Sequence, residues 1–494
     1  MIFIEGDVHL QRWRILMVTA ALSVCSPFSV WAQEDGVQAA PPVPVVSAAL
    51  DVDEKDAAKE DTLSLRDALR FAYINNPTLR ASRARTKAVF EKMPQAYAGY
   101  LPTVLASGEI IRSRLKTVPG TSENDTERQA ALSLDQPLYR GGRTTSGINA
   151  AEALVDAELA ALASSERYVL FEAARAYMDV LRTKAILNVN QKNRAAIARQ
   201  LKATRDRFKA GDVTRTDVAQ AEFRLARAEA DLTGATGALR TARAVFEQVV
   251  GVAPKRMALP GRTFSFPRTV DEATAAAQQF NPDVIAAKAR HIAAKENVGV
   301  EFGVLLPDVS LSAAAASTRD PSDLQVDRMN AASVGVKLSV PLYEGGAVRS
   351  RVREAKYKAN ESYMLVLEAQ RTARVEAARA WEEWTAARSE LSSREVQVKS
   401  SEIARSGVRA EAEHGGRTIL DVLDADLEVR DAQIALISAK RNQVVAEYAL
   451  ASSLGLLLPA HVGIMENVFD PDAFLQKTKS KILSTAADLE QETE

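Results

Sequence analysis

The chain has 494 residues, and its 63 basic and 64 acidic side chains leave almost no net charge, so no basic surface points to nucleic acid. Charged residues make up 26% and aromatics only 6%, which excludes both a chain disordered throughout and a bundle of membrane-crossing apolar helices. Its 18 prolines and 23 glycines are clustered, and the long intervals between them favour a few very long elements over several ordinary domains.

Residues 1–32 read as an export signal: Arg12 and Arg14, an apolar run from Ile15 to Val24, and the small-residue site Val30-Trp31-Ala32 before Gln33. The run is too short for a retained spanning anchor. Leu22-Ser23-Val24-Cys25 offers a rival reading as a lipoprotein box, but Val24 stands where a small residue is wanted. Cys25 is the only cysteine and would leave with the signal, so no thiol or disulfide chemistry is expected. Residues 33–61 form an acidic linker rich in Pro and Ala, without periodicity.

From residue 62 the chain is written twice, over 62–262 and 263–459, followed by a tail over 460–494 that is expected to be equatorial or disordered. Asn76-Pro77 returns as Asn281-Pro282, Leu101-Pro102 as Leu306-Pro307, and Pro137-Leu138-Tyr139-Arg140-Gly141-Gly142 as Pro341-Leu342-Tyr343-Glu344-Gly345-Gly346. In each half a first helix (about Leu63 to Asn75, and Val270 to Phe280) stops before Asn-Pro. A second (about Thr78 to Tyr100, and Asp283 to Leu305) stops before Leu-Pro, because proline blocks helix continuation.

The period then changes from helical to alternating. Val334, Val336, Leu338 and Val340 alternate with Ser333, Gly335, Lys337 and Ser339, giving one apolar and one polar face. The counterpart runs from about Arg128 to Leu134. Weaker strands precede each, Thr103 to Arg112 and Val309 to Ser317, with polar loops expected at 116–127 and 318–330.

After each Gly-Gly the helical period holds for a very long way. The arm Arg143 to Ala210 alone would reach roughly 100 Å at ~1.5 Å per residue. The only sharp breaks are Gly211-Asp212-Val213-Thr214 and Gly415-Gly416-Arg417-Thr418. There a glycine can stop one helix, and a Thr-x-x-Asp box, Thr214 with Asp217 and Thr418 with Asp421, can cap the next. Each half therefore ends in a helical hairpin. A soluble coiled-coil rod would explain the arms but not the strands. Four strands with a lipid-compatible face cannot close within one chain, so several chains must combine.

The duplicated Leu-Pro, strand, loop, strand, Pro-Leu-Tyr-x-Gly-Gly cassette and the run Gly415-Gly416-Arg417-Thr418-Ile419-Leu420-Asp421-Val422-Leu423-Asp424 resemble outer-membrane efflux proteins of the TolC type. The resemblance implies a mainly α fold with a small β part: a homotrimer whose four strands per subunit make a 12-stranded barrel in the outer membrane. A long periplasmic α-helical barrel would continue it, with an equatorial domain built from the short helices, residues 252–267 and the tail. It also implies a passive exit duct for drugs, small toxic compounds or secreted polypeptides, joined to a periplasmic adaptor and an inner-membrane pump of RND or ABC type.

By the same resemblance, Asp421 and Asp424 match carboxylate rings at the narrowest point of a closed tip. Arg417, Thr216 and Asp217 match the polar links that hold it shut, and Gly211, Val213, Gly415 and Thr418 stand where an adaptor would touch. The chain departs at Ala412, where the family's gate carries a tyrosine. Asp217 and Asp421 also have a simpler reading as helix caps.

No phosphate-binding loop, no Gly-x-Ser-x-Gly and no Cys or His cluster is present, so no enzyme activity and no cofactor are expected. Two other classes share part of the pattern. A periplasmic coiled-coil adaptor or structural protein would have the hairpins without the strands, and an uptake porin the barrel without arms of this length.

Overall fold

The computed structural model describes residues 62–116, 118–120, 122–261, 264–320, 326–414, 416–464, 468–480, 484, 485 and 487. The expected export signal and acidic linker lie outside the described residues, as does Gly415. In chain order the elements are β1 (Thr62–Leu63), α1 (Leu65–Asn75), α2 (Pro77–Phe90), α3 (Lys92–Tyr97), β2 (Thr103–Lys116), β3 (Ser122–Arg140), α4 (Arg143–Ala210) and α5 (Arg215–Val250). There follow β4 (Arg256–Met257), α6 (Val270–Phe280), α7 (Pro282–Gly303), β5 (Asp308–Arg319), β6 (Arg328–Ser339), α8 (Ala347–Glu413), α9 (Ile419–Ser453) and α10 (Pro471–Ser480).

The duplication is structural as well as textual. Asn76 caps α2 by accepting from the Thr78 and Leu79 amides, while its Nδ2 donates to the Val249 carbonyl at the end of α5. Asn281 does the same for α7, accepting from Asp283 and donating to the Ser453 carbonyl at the end of α9. Each asparagine thereby ties the start of a short helix to the end of a long hairpin, with its amide satisfied on both sides. Gly141 and Gly345 both adopt φ 63°, turning strand into helix in each half. A Cβ at Gly141 would overlap the Gly303 carbonyl, so that turn admits only glycine.

Two expectations are corrected. The helix expected from Thr78 to Tyr100 is broken: α2 ends at Phe90, α3 starts at Lys92, and Ala98–Tyr100 is a 3-10 turn. Pro94 is the reason, since it lacks an amide hydrogen and its ring would collide with the carbonyl four residues back, that of Phe90. The loops expected at 116–127 and 318–330 are shorter, because β2 pairs with β3 as far as Lys116 with Ser122 and β5 with β6 as far as Arg319 with Arg328. Backbone pairing continues past the end of the apolar alternation because it depends on amides and carbonyls, not on side chains.

The sheet is antiparallel in the order β2-β3-β5-β6, which leaves β2 and β6 as unpaired edges. Directly opposed residues share a face. One face carries rows such as Val104, Leu134, Ala313 and Val334; the other carries Asp135, Ser312 and Gly335.

The largest core lies where the short helices meet the long ones, joining Tyr73, Leu79, Leu170, Tyr177, Phe246 and Leu457. β1 pairs in parallel with β4, so the start of the first repeat is stitched to the mid-chain connection. The Tyr177 hydroxyl donates to the carbonyls of Leu63 (2.9 Å) and Ala258 (2.6 Å) on those two segments, and burial pushes its pKa up. In the tail α10 is ordered: Phe474 lies 5.9 Å from the Phe90 ring. No helix among the described residues is long and apolar enough to cross a membrane.

Candidate functional site: the paired hairpin tips

α4 stops at Gly211, whose φ of 85° closes the helix through hydrogen bonds from its own amide to Phe208 and from the Asp212 amide to Arg207. Val213 is half-buried in the turn. Thr214 then caps α5: Asp217 donates its amide to Thr214 Oγ1, and Asp217 Oδ2 accepts from the Thr214 amide and hydroxyl at 2.8 Å each. Thr216 stands exposed in the first turn.

The second tip repeats the box atom for atom. Thr418 Oγ1 accepts from the Asp421 amide, and Asp421 Oδ2 accepts from the Thr418 amide and hydroxyl at 2.8 Å. These hydrogen bonds, led by the backbone one, hold both Asp217 and Asp421 below the usual carboxylate range. Both therefore act as caps.

Asp424 is one turn further on and is not a cap. Its Oδ1 accepts from Arg224 Nη2 on α5 at 2.8 Å, linking the two hairpins. The side chains are unequal in exposure, 16% for Arg224 and 63% for Asp424, so the arginine is held by its surroundings and the carboxylate reaches in from solvent. Arg417 pairs with Glu411 of its own hairpin at 2.9 Å, and that contact raises its pKa. A single chain thus ties Asp424 to the first hairpin, while Arg417 pairs within the second.

Sequence reasoning missed the contacts that join the hairpins. Besides Arg224 and Asp424, Arg430 of α9 donates to Asp231 of α5 (2.7 Å) and to the buried Asn190 of α4 (3.1 Å). Arg441 pairs with Asp179 of α4 at 3.0 Å. Partners some 200 residues apart with no fixed spacing leave no local signal.

Behind the tips a cavity of about 820 Å³ separates the four long helices. Lys192, Arg199, Arg207, Arg405 and Arg409 line it, Asp426 is the only lining carboxylate among the described residues, and Ala412 stands in its wall. Among the described residues no cluster of His, Cys, Asp and Glu could hold a metal ion.

Residues 69–252 and 274–456, one segment in each half, match the family described as outer membrane efflux protein. The chain belongs to that family. It is 33% identical over 425 residues to outer membrane efflux protein BepC of Brucella suis, covering 86% of this chain and 92% of that protein. It is 26% identical over 409 residues to outer membrane protein TolC of Escherichia coli, covering 80% and 82% respectively. Among solved structures, the CmeC outer membrane channel of Campylobacter jejuni superposes with a TM-score of 0.72 at 14% identity, over 84% of this chain and 89% of that one. The resemblance read from the repeated cassette is therefore borne out, as is the mainly α fold with a small sheet. The two family segments coincide with the two halves of the duplication.

Proposed function

We propose that this outer membrane efflux protein works as a trimer, three four-stranded sheets closing into a 12-stranded barrel and three sets of hairpins into a helical tunnel. The observation that carries the reading is the sheet itself. It has an apolar face and two unpaired edges, β2 and β6, which a bilayer does not tolerate unless a neighbouring copy pairs with them. The duct conducts drugs, small toxic compounds or secreted polypeptides passively outward, the energy coming from an inner-membrane pump of RND or ABC type through a periplasmic adaptor. No step of bond chemistry is needed.

In the assembled duct the tips form the gate. Asp421 and Asp424 from three chains surround the axis, Arg417 reaches Thr216 and Asp217 of a neighbouring chain, and the adaptor engages the turns at Gly211, Val213, Gly415 and Thr418. Native mass spectrometry of detergent-extracted protein, with recordings in planar bilayers, tests the assembly. A trimer that conducts is expected. A conducting monomer would refute the argument from open edges.

A further inference from the structure

We infer that the sheet carries, at the end remote from the long helices, a binding row for the phosphate of a membrane lipid headgroup, formed by Arg112, Arg128, Arg319 and Arg328. The inference rests on the membrane-spanning reading of the sheet.

Register places these residues on the apolar face. Val104, Leu134, Ala313 and Val334 form one row, Ala106, Leu132, Ala315 and Ala332 the next; two rows further on the face changes to Ile110, Arg128, Arg319 and Arg328. Three arginines thus stand directly opposed on adjacent strands, and Arg112 follows Ile110 on the same face. Opposed like charges destabilise a sheet, with Cβ atoms only about 5 Å apart, unless an anion lies between them. The protein supplies one such anion: Asp320 takes Arg128 at 3.3 Å. Arg112, Arg319 and Arg328 have no hydrogen bond or ion pair among the described residues. The nearby carboxylates Glu109 and Glu127 occupy the opposite face.

The height of the row selects the anion. A register shift between Pro137 and Tyr139 brings Tyr139 opposite Val309, on the apolar face at the end near the helices. From Val309 to Arg319 is ten residues (319 − 309), roughly 33 Å along the strand and about 25 Å along the membrane normal at a tilt of ~40°. That equals the apolar band of a membrane barrel, so Tyr139 and the arginines mark its two interfaces. A guanidinium presents a fork of donors that fits a phosphate. A free phosphate would fit as well, but only a lipid also covers with acyl chains the apolar rows that begin beyond the intervening row of Gly108, Ala130, Ser317 and Asn330.

The test uses the full chain in nanodiscs of phosphatidylcholine doped with either phosphatidylglycerol or bisphosphorylated lipid A, with retained lipid counted by native mass spectrometry. The wild type should retain the anionic lipids over phosphatidylcholine by roughly tenfold or more, given two or three charge-assisted contacts. The triple variant Arg112→Gln, Arg319→Gln, Arg328→Gln should lose that preference, the triple Lys variant should keep most of it, and Lys337→Gln on the opposite face should not alter it. Unchanged retention in a Gln variant that still inserts and conducts overturns the row while leaving the duct intact. Displacement of the lipid by inorganic phosphate at equal concentration overturns the lipid assignment. If the wild type neither inserts nor conducts, the membrane-spanning reading fails and the row falls with it.

Discussion

The two halves of the molecule share a plan but not a burial pattern. α4 and α8 occupy equivalent places, with 68 and 67 residues, and each begins after a Gly-Gly turn at positive φ. Yet α4 is packed on several sides, by α1, α2, α3, α5, α7 and α9, whereas α8 meets mainly α6, α7 and α9. Equivalent positions, offset by 204, show the result. Leu170 is fully buried and its counterpart Arg374 exposed; Tyr177 is fully buried and its counterpart Trp381 only half-buried. Farther along α8, Val375, Val396 and Ile403 are exposed by 66%, 63% and 64% and lie at multiples of seven (396 − 375 = 21, 403 − 396 = 7), a stripe along one face. The counterparts of the last two on α4 are Lys192 and Arg199. Duplication copied the local structure, and the different neighbours then decided which copy carries the largest core and which leaves an apolar stripe exposed.

Exchanging the equivalent residues is the strongest way to break this comparison. Leu170→Arg buries an unpaired charge and should abolish folded protein in the outer-membrane fraction, while Arg374→Leu should shift stability by no more than about 0.5 kcal/mol. Equal loss in both would mean that the halves are not differentiated by burial.

Next in size is the stripe. Val396→Glu with Ile403→Glu should leave each chain's own core intact but weaken trimer association, read as monomer in native mass spectrometry. Lys192→Glu with Arg199→Glu should leave the trimer in place.

The tips come third. Arg224→Ala removes the partner of Asp424 and should raise cation selectivity and block by divalent cations in single-channel recordings, whereas Asp421→Ala with Asp424→Ala should reduce both. Arg417→Ala should raise conductance modestly. If Arg224→Ala leaves selectivity unchanged, Asp424 does not face the conducting path.

The smallest effects concern the two caps and should be equal. Thr214→Ala and Thr418→Ala should each lower the stability of the following helix by about 1 kcal/mol, read by hydrogen exchange at the tip amides. The pH dependence has a definite sign. Asp217 and Asp421 have folded pKa values below the unfolded value of about 3.9, so their contribution is complete above that value and lost as pH falls through the lowered one. The protection factors of the tip amides, with the pH dependence of intrinsic exchange divided out, should therefore be flat from neutral pH to about 4 and fall below, in both hairpins alike.

Much of this was legible residue by residue. The arm expected from Arg143 to Ala210 is α4 itself, and both Thr-x-x-Asp boxes cap as read, because caps and breaks act within four residues of their own position. The break at Pro94 obeys the same local rule and lay within reach of it. The added length of the strands did not, since pairing near the hairpin loops is enforced by a partner strand and not by a side-chain pattern.

The sequence by itself therefore determined the duplication, the order of helix and strand and the ends of the long arms, all of which rest on periodicity and on contacts a few residues apart. Only the tertiary structure decided that Asp424 is tied to Arg224, that Arg430 joins Asp231 and Asn190, and that Arg128, Arg319 and Arg328 stand side by side. Those groups are brought together by helix packing and strand register, which set distances between residues that no spacing along the chain encodes.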